Sequence, residues 1–468
     1  MVKENKKIIL GAGILGVGAF FAKLLGAIYR VPLTSVLKSE GIGIYQMVFP
    51  VYALLLDFSG AGVPNALSKL IAERPNDKEY FAKKYLSLSI KVFGVLGLLG
   101  SIFMIFFSRI ISNAQGNALA NFSYVTLAPS VFFVCLISCY RGAFQGLGNM
   151  KPTAISQVIE QIIKVVFGII LARLFSYELK KSVAGATFAI TISEVVAFIV
   201  LFVLWKKKIK SNKYNKDFIA SPIKPNNVSV KKLLKAVIPI TLIGIIMPFS
   251  QVIDSFLIIN LLKKSFNATV LYGLFSGVCL TIINLPVSVC YGISTISVPT
   301  ISALEKGKIR SKKINYLLKL TFLISLLFSV CVFIFSRIAV KILFSSLSNY
   351  EKTLAVNLIK TCSIVIVLLS LVQTQNSILI ACGSYYLPVI TLFIGITIKT
   401  ITEYFLIKIE SLNIFGGAIG LIACYFVIFL LNFILIKRIG EKDAVKTHND
   451  RQFNDKKQRF SCPDGGLH

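Results

Sequence analysis

Runs of about 20 apolar residues recur along nearly the whole of this 468-residue chain, separated by short polar segments. A helix needs a run of that length to cross a hydrocarbon core about 30 Å thick. We read spans at residues 8–29, 42–63, 85–107, 122–140, 153–175, 183–205, 233–260, 268–298, 315–344, 354–382, 385–407 and 414–436. Inside a bilayer every backbone N–H and C=O must find its partner within the protein, so continuous apolar runs read as helices, whereas a barrel strand would alternate. The expectation is an all-α, polytopic membrane protein of about twelve transmembrane helices. Composition agrees: the chain is 55% hydrophobic and only 15% charged, with mean hydropathy +0.77, too little polar surface to cover a soluble core of this length. Lys6 and Lys7 lead into a run too long for a signal-peptide core, and no small-residue cleavage site follows it. Arg337 and Lys341 interrupt the ninth run, leaving its outer end open.

A net charge of +31 would suit a nucleic-acid partner if it lay on one soluble face, but its distribution follows the loops. With the N-terminus in the cytoplasm, and charges in terminal turns counted with the adjacent loop, 34 of the 51 Lys and Arg fall on the N-terminal side and 13 opposite. Lys23, Lys91, Lys164 and Lys399 lie inside spans. That asymmetry places both termini in the cytoplasm of a bacterial plasma membrane. It also accounts for the basic balance through topology and anionic lipid headgroups, with no nucleic acid.

The longest polar stretch, 206–232, separates six spans from six: an N-terminal lobe over 1–205 and a C-terminal lobe over 233–437, followed by a polar cytoplasmic tail over 438–468. Val63-Pro64 at the end of span 2 and Val298-Pro299 at the end of span 8 are 235 residues apart. Lys164 and Lys399 keep the same offset, and Pro152 and Pro388 differ from it by one. A repeat of six spans keeps its orientation, so the halves should be parallel repeats about an axis along the membrane normal, with a cavity between them. Lys164 and Lys399 are expected to face each other across it.

Ionisable residues inside spans are costly, which makes each a candidate for that cavity. Lys23 and Arg30 are two helical turns apart on one face of span 1. Gln157, Glu160, Gln161 and Lys164 form a polar stripe on span 5, with Glu160 and Lys164 in the favourable i,i+4 order. Span 11 carries Lys399 and Glu403 in reversed order, and single acids stand at Asp57, Glu194 and Asp254. Gln373, Gln375 and Asn376 on span 10 occupy the level at which span 4 carries Arg141 and Gln145. Structural alternatives stay open: Lys91 can snorkel, Arg30 can cap span 1, the lysines of spans 5 and 11 can pair with Glu160 and Glu403, and the single acids can join helices. No P-loop, metal-ligand cluster or histidine-paired nucleophile is present; the histidines, His448 and His468, lie in the tail, and eight of nine cysteines sit in apolar runs as small core residues. The chain therefore reads as a non-enzyme that needs no cofactor and no metal.

Two stretches carry a family resemblance. Residues 22–33, Ala-Lys-Leu-Leu-Gly-Ala-Ile-Tyr-Arg-Val-Pro-Leu, lead into Glu40-Gly41-Ile42-Gly43-Ile44-Tyr45-Gln46, and Tyr140-Arg141-Gly142-Ala143-Phe144-Gln145-Gly146-Leu147-Gly148-Asn149-Met150-Lys151-Pro152-Thr153 leads into Gln157-Val158-Ile159-Glu160-Gln161. Over residues 1 to about 437 the chain resembles the polysaccharide-exporter branch of the multidrug/oligosaccharidyl-lipid/polysaccharide flippase superfamily, beside the lipid II flippases. The resemblance implies two six-helix lobes around a cationic cavity, working by alternating access. Lipid II flippases carry Ser-Arg-x-x-Gly-x-x-Arg-Asp on span 1; here Lys23 falls on the first arginine, Tyr29 on the second and Arg30 on the aspartate. Those flippases have two further helices, where this chain has about 30 polar residues after span 12.

The reading that follows is a monomeric translocase for an undecaprenyl-pyrophosphate-linked glycan, lipid II or a relative, serving cell-wall or spore-cortex peptidoglycan. Lys23, Arg30, Arg141, Lys164 and Lys399 would attract the pyrophosphate, with Asp57, Gln157, Glu160, Glu194, Asp254, Gln375, Asn376 and Glu403 as polar or coupling positions. A cation-coupled multidrug exporter and a non-transporting membrane partner of wall-synthesis enzymes are the alternatives. Topology can be tested directly: thiol probes within 206–232 should react only from the cytoplasm, and probes at 263–267 only from outside. Reaction of both from one side would remove the parallel-repeat arrangement.

Overall fold

A computed structural model describes the backbone of residues 2–73, 78–212, 229–262, 267–302, 304, 307–384 and 386–460. Side chains are described from residue 25 to 440 within those ranges, apart from residues 27, 59, 61, 210–212, 239, 243, 295, 296, 299 and 308. Most of the expected linker, the end of the tail, and the side chains of Lys23 and His448 thus lie outside the described residues, as does His468.

The regular elements of the described chain are all helices, without a strand. Its helices are α1 (Val2–Leu56), α2 (Val63–Ala72), α3 (Lys78–Ala114), α4 (Asn121–Gly146), α5 (Lys151–Leu174), α6 (Leu179–Asn212), α7 (Val230–Leu262), α8 (Ala268–Tyr272), α9 (Leu280–Ser302), α10 (Lys308–Leu343), α11 (Asn349–Ala381), α12 (Leu387–Leu406) and α13 (Phe415–Phe460). Among the described residues eleven helical stretches are long and apolar enough to cross a membrane, beginning with Ile28–Leu56. The span expected at 8–29 falls mainly on side chains that are not described.

Two sequence boundaries are corrected. No loop separates the first two spans: α1 continues past Arg30 and breaks at one residue, Lys38, with φ 56° and ψ −172°. That is a region otherwise almost reserved for glycine, and holding a lysine there costs on the order of 1–3 kcal/mol. Nor do Arg337 and Lys341 interrupt the ninth span; α10 runs unbroken through both, with their side chains exposed. Two π-helical segments appear where sequence periodicity shows nothing, at Asp57–Ala61 between α1 and α2 and at Gly273–Cys279 between α8 and α9.

Helix ends follow local chemistry. Pro152 and Pro388 are the second residues of α5 and α12, where a missing N–H costs nothing. Gly148 and Gly383, at φ +77° and +86°, stop α4 and α11; the amides of Asn149 and Ser384 then donate back to Phe144 and Leu379, both at 3.0 Å. These two stops are 235 residues apart in every partner, the offset already seen between Lys164 and Lys399. Ser348 and Glu351 cap α11 reciprocally, each side chain receiving the other's amide.

Packing divides the chain into two compact units. The first comprises residues 1–281, 337–357 and 404–415. In it α4 lies against α3 and α6, α5 against α6 and α1, and α7 and α8 against α1. The second half of α1 meets α8 and the π segment at very short range. A Cβ on Gly43 would lie 2.0 Å from the Thr269 carbonyl oxygen, one on Gly273 2.4 Å from that of Ser39, and one on Gly277 2.1 Å from Ile42 Cγ2. Gln115, fully buried, donates to the Met47 carbonyl at 3.0 Å and to Ser255 at 2.9 Å, and accepts from Tyr124 at 2.6 Å.

The second unit comprises residues 282–336, 358–403 and 416–468. Hydroxyl and amide contacts join its helices: Thr321 to Thr374 between α10 and α11, and Ser294 to Ser377 between α9 and α11. Such bonds serve where apolar surface gives no drive for one helix to prefer another over lipid.

The glycine seam is testable. Gly43→Ala should lower the thermal unfolding midpoint, because overpacking a tight crossing costs about 1–3 kcal/mol. Gly292→Ala on α9, with open space around its Cβ, should leave the midpoint unchanged or raise it.

Candidate functional site

The first unit gathers a charged cluster from four helices. Starting α5 at Lys151 puts Gln157, Glu160, Gln161 and Lys164 at i, i+3, i+4 and i+7, one face of the helix. Arg141 of α4 reaches that face: its NH2 lies 2.8 Å from Glu160 Oε2, and its Nε donates to Ser156 at 3.0 Å. Gln161 donates to the other Glu160 oxygen at 3.2 Å, so both carboxylate oxygens are occupied. The two charged side chains are only 15% and 16% exposed. Glu160 therefore takes Arg141 from a neighbouring helix as its ion-pair partner, whereas sequence spacing pointed to Lys164.

Lys164 has no ion pair among the described residues, yet lies within electrostatic reach of Glu160, Glu194 and Arg30. Glu194 of α6 is buried and within reach of Glu160, Arg141 and Lys164. Tyr52 of α1, unremarked in the sequence, adds a buried hydroxyl near Ser130 and Glu194. Gln157 contributes a buried side-chain oxygen with no hydrogen-bond partner among the described residues. Arg30 is inside α1 and not a surface cap; its NH1 donates to Thr281 of α9 at 2.6 Å, and the Thr281 hydroxyl donates to the Gly277 carbonyl of the π segment. Described side chains thus bring Arg30, Arg141 and Lys164 together with Glu160 and Glu194, three cations against two anions.

Other expected positions stand elsewhere. Asp57 opens the first π segment and Asp254 lies on α7 beside Ser255, both half-buried. Lys91 is exposed on α3, as a snorkelling side chain would be. In the second unit Lys399 and Glu403 are both buried one turn apart on α12, and Glu403 packs on Gly420 of α13, where a Cβ would lie 2.5 Å from its Cγ. Asn376 of α11 accepts from Asn432 of α13, which accepts from Thr391 of α12, each at 2.8 Å; Gln375 donates to the Phe429 carbonyl at 3.3 Å. Asn432 and Thr391 were missed: Asn376 stood out beside Gln373 and Gln375, whereas Asn432 is a single amide in an apolar run. Six of the eight described cysteines are buried.

Helices of this length and number, with ionisable groups held in their interior, make this a multi-pass membrane protein with the fold of integral-membrane transporters. Solved structures bear that out: the inward-facing conformation of a multidrug resistance MATE family transporter superposes with a TM-score of 0.72 at 16% identity, over 90% of this chain and 96% of that one. The inward closed conformation of the lipid II flippase MurJ gives 0.66 at 18% identity, over 92% and 90%. The chain belongs to the Polysaccharide biosynthesis protein family, which it matches over residues 8–305. Among curated relatives, stage V sporulation protein B of Bacillus subtilis (strain 168) is 26% identical over 94% of this chain and 85% of its own length. Lipid II flippase MurJ of the same organism is 25% identical over 93% and 83%.

The Arg141–Glu160 pair generates a stability prediction. Arg141→Gln should destabilise the protein by roughly 3 kcal/mol, since it strands a buried carboxylate. Adding Glu160→Gln should recover most of that loss in thermal unfolding, while Lys164→Gln alone should cost little.

Proposed function

We propose that this chain is a flippase for an undecaprenyl-pyrophosphate-linked glycan precursor, lipid II or a close relative, used in building cell-wall or spore-cortex peptidoglycan. The observation that carries the reading is the excess of cations over acids in the cluster of α1, α4, α5 and α6, with Lys164 left outside the Arg141–Glu160 pair. A pyrophosphate would complete that balance, because charge attraction is strong where water is scarce and its headgroup cannot cross lipid unaided. The relatives agree in direction, one being named a lipid II flippase and one a sporulation protein.

In this reading residues 1–205 and 233–437 form two six-helix lobes joined by the basic segment 206–232, with both termini cytoplasmic, and cargo crosses by alternating access. Lys23, Arg30, Arg141, Lys164 and Lys399 attract the pyrophosphate. Glu160 and Glu194 offset two of the three cations, so the substrate-free cluster keeps one net positive charge for an anion to balance. The chain acts as a monomer within membrane lipid, passing its cargo on to wall-synthesis enzymes. A multidrug exporter would prefer an interior richer in acids than in cations, because its drugs are themselves cationic.

Reconstituted protein should move labelled lipid II between leaflets. Lys164→Gln should slow that movement about tenfold, as expected for losing one charge-assisted contact of roughly 1.5 kcal/mol. Unchanged flipping by this variant would remove Lys164 from the site, and failure of the wild-type protein to move any polyprenyl-pyrophosphate glycan would end the proposal.

A further inference from the structure

Arg30 takes part in two features at once. It lies within electrostatic reach of Lys164 in the charged cluster, and it donates to Thr281 across the seam between α1 and the α8–π–α9 segment. Other contacts along that seam are uncharged: the Gly43, Gly273 and Gly277 approaches, and Gln46 Nε2 to the Ser276 carbonyl at 3.3 Å. Arg30 is thus the point at which a charge arriving in the cluster can act on the seam.

Its partner there is weak by comparison with an anion. The Thr281 hydroxyl is neutral and already donates its proton to the Gly277 carbonyl. A phosphate offers a guanidinium two parallel charge-assisted bonds, each about twice as strong as a neutral one. The acceptor of the Thr281 hydroxyl, the Gly277 carbonyl, belongs to a π segment, Gly273–Cys279, a helical irregularity frequent at functional sites.

We propose that Arg30 is a positioning residue that releases the α1–π-segment seam when an anionic phosphate headgroup draws its guanidinium away from Thr281. The inference rests on the pyrophosphate reading of the cluster and adds how cargo would be sensed. Substrate-free, the Arg30–Thr281 bond helps hold the seam shut. With phosphate bound, the bond is lost, the Thr281 hydroxyl keeps only its carbonyl partner, and the glycine approaches with the long Gln46–Ser276 bond no longer hold the segment.

Hydrogen–deuterium exchange on the full chain in nanodiscs tests this, with farnesyl pyrophosphate as the probe and its binding measured by calorimetry on the same samples. In the wild-type protein the probe should raise uptake in residues 39–46 and 268–281. Thr281→Val and Arg30→Gln should each show that raised uptake without probe and gain nothing further from it. Their affinities should move in opposite directions. Thr281→Val frees the guanidinium and should bind the probe more tightly, whereas Arg30→Gln should bind about tenfold more weakly. A general loss of packing would not produce that opposition. Three results would overturn the trigger and leave the cargo reading standing: probe binding to wild type with no change at 268–281, a wild-type response in Arg30→Gln, or wild-type basal uptake in Thr281→Val. No binding of the probe to wild type would overturn both.

Discussion

A charge placed at membrane depth must find its compensation inside the protein, and much of this structure is arranged around that requirement. The same rule holds for the backbone, which is why every span of the described chain is helical, and why departures inside the helices are local. α4 and α11 stop at glycines whose next residues donate back into the last turn. α5 and α12 begin at prolines that have no N–H to leave unpaired. Among the charges, Glu160 spends both oxygens on neighbours, and Arg30 finds a hydroxyl backed by a carbonyl. Small residues carry the same logic into packing, since helices in lipid gain cohesion by close approach.

The helical architecture was legible because its cause is local. A run of twenty apolar residues has one stable form in a bilayer, and the 235-residue offset is a property of the string itself. The structure extends that offset to the helix stops at Gly148 and Gly383, which the landmarks Pro152, Pro388, Lys164 and Lys399 did not include. The break at Lys38 and both π segments were not legible, because hydrophobic periodicity does not register a one-residue break or a local change of helical winding. The site followed the same division. Stripe positions on α5 could be read from helical spacing, but the partner of Glu160 could not. The i,i+4 rule proposes Lys164, while a planar guanidinium from α4, steadied by Ser156, offers a better-shaped donor. Thr281 lay beyond reach for a similar reason: it is 251 positions from the arginine it serves.

This fold is shared by proteins named for drugs and for lipid II, so architecture alone does not choose a cargo. The choice rests on which charges each chain keeps inside. A cluster of three cations and two acids, one pair already closed, leaves a single net cation for an anion to meet and keeps the load on the empty protein small. Such balance is what a carrier needs, because it must be stable both loaded and unloaded.

The elbow at Lys38 leaves no slack between the two arms of α1. In a pair of spans joined by a loop, an inserted or deleted residue is absorbed by the loop. Here one residue added at the break would turn the following arm by about 100° about its axis. Gly43 would then leave Thr269, and Gln46 would leave Ser276, while Arg30 stayed in place. Segment length around residue 38 is therefore under a constraint as strict as that on any side chain. Variation in this stretch should exchange residues freely before it changes their number.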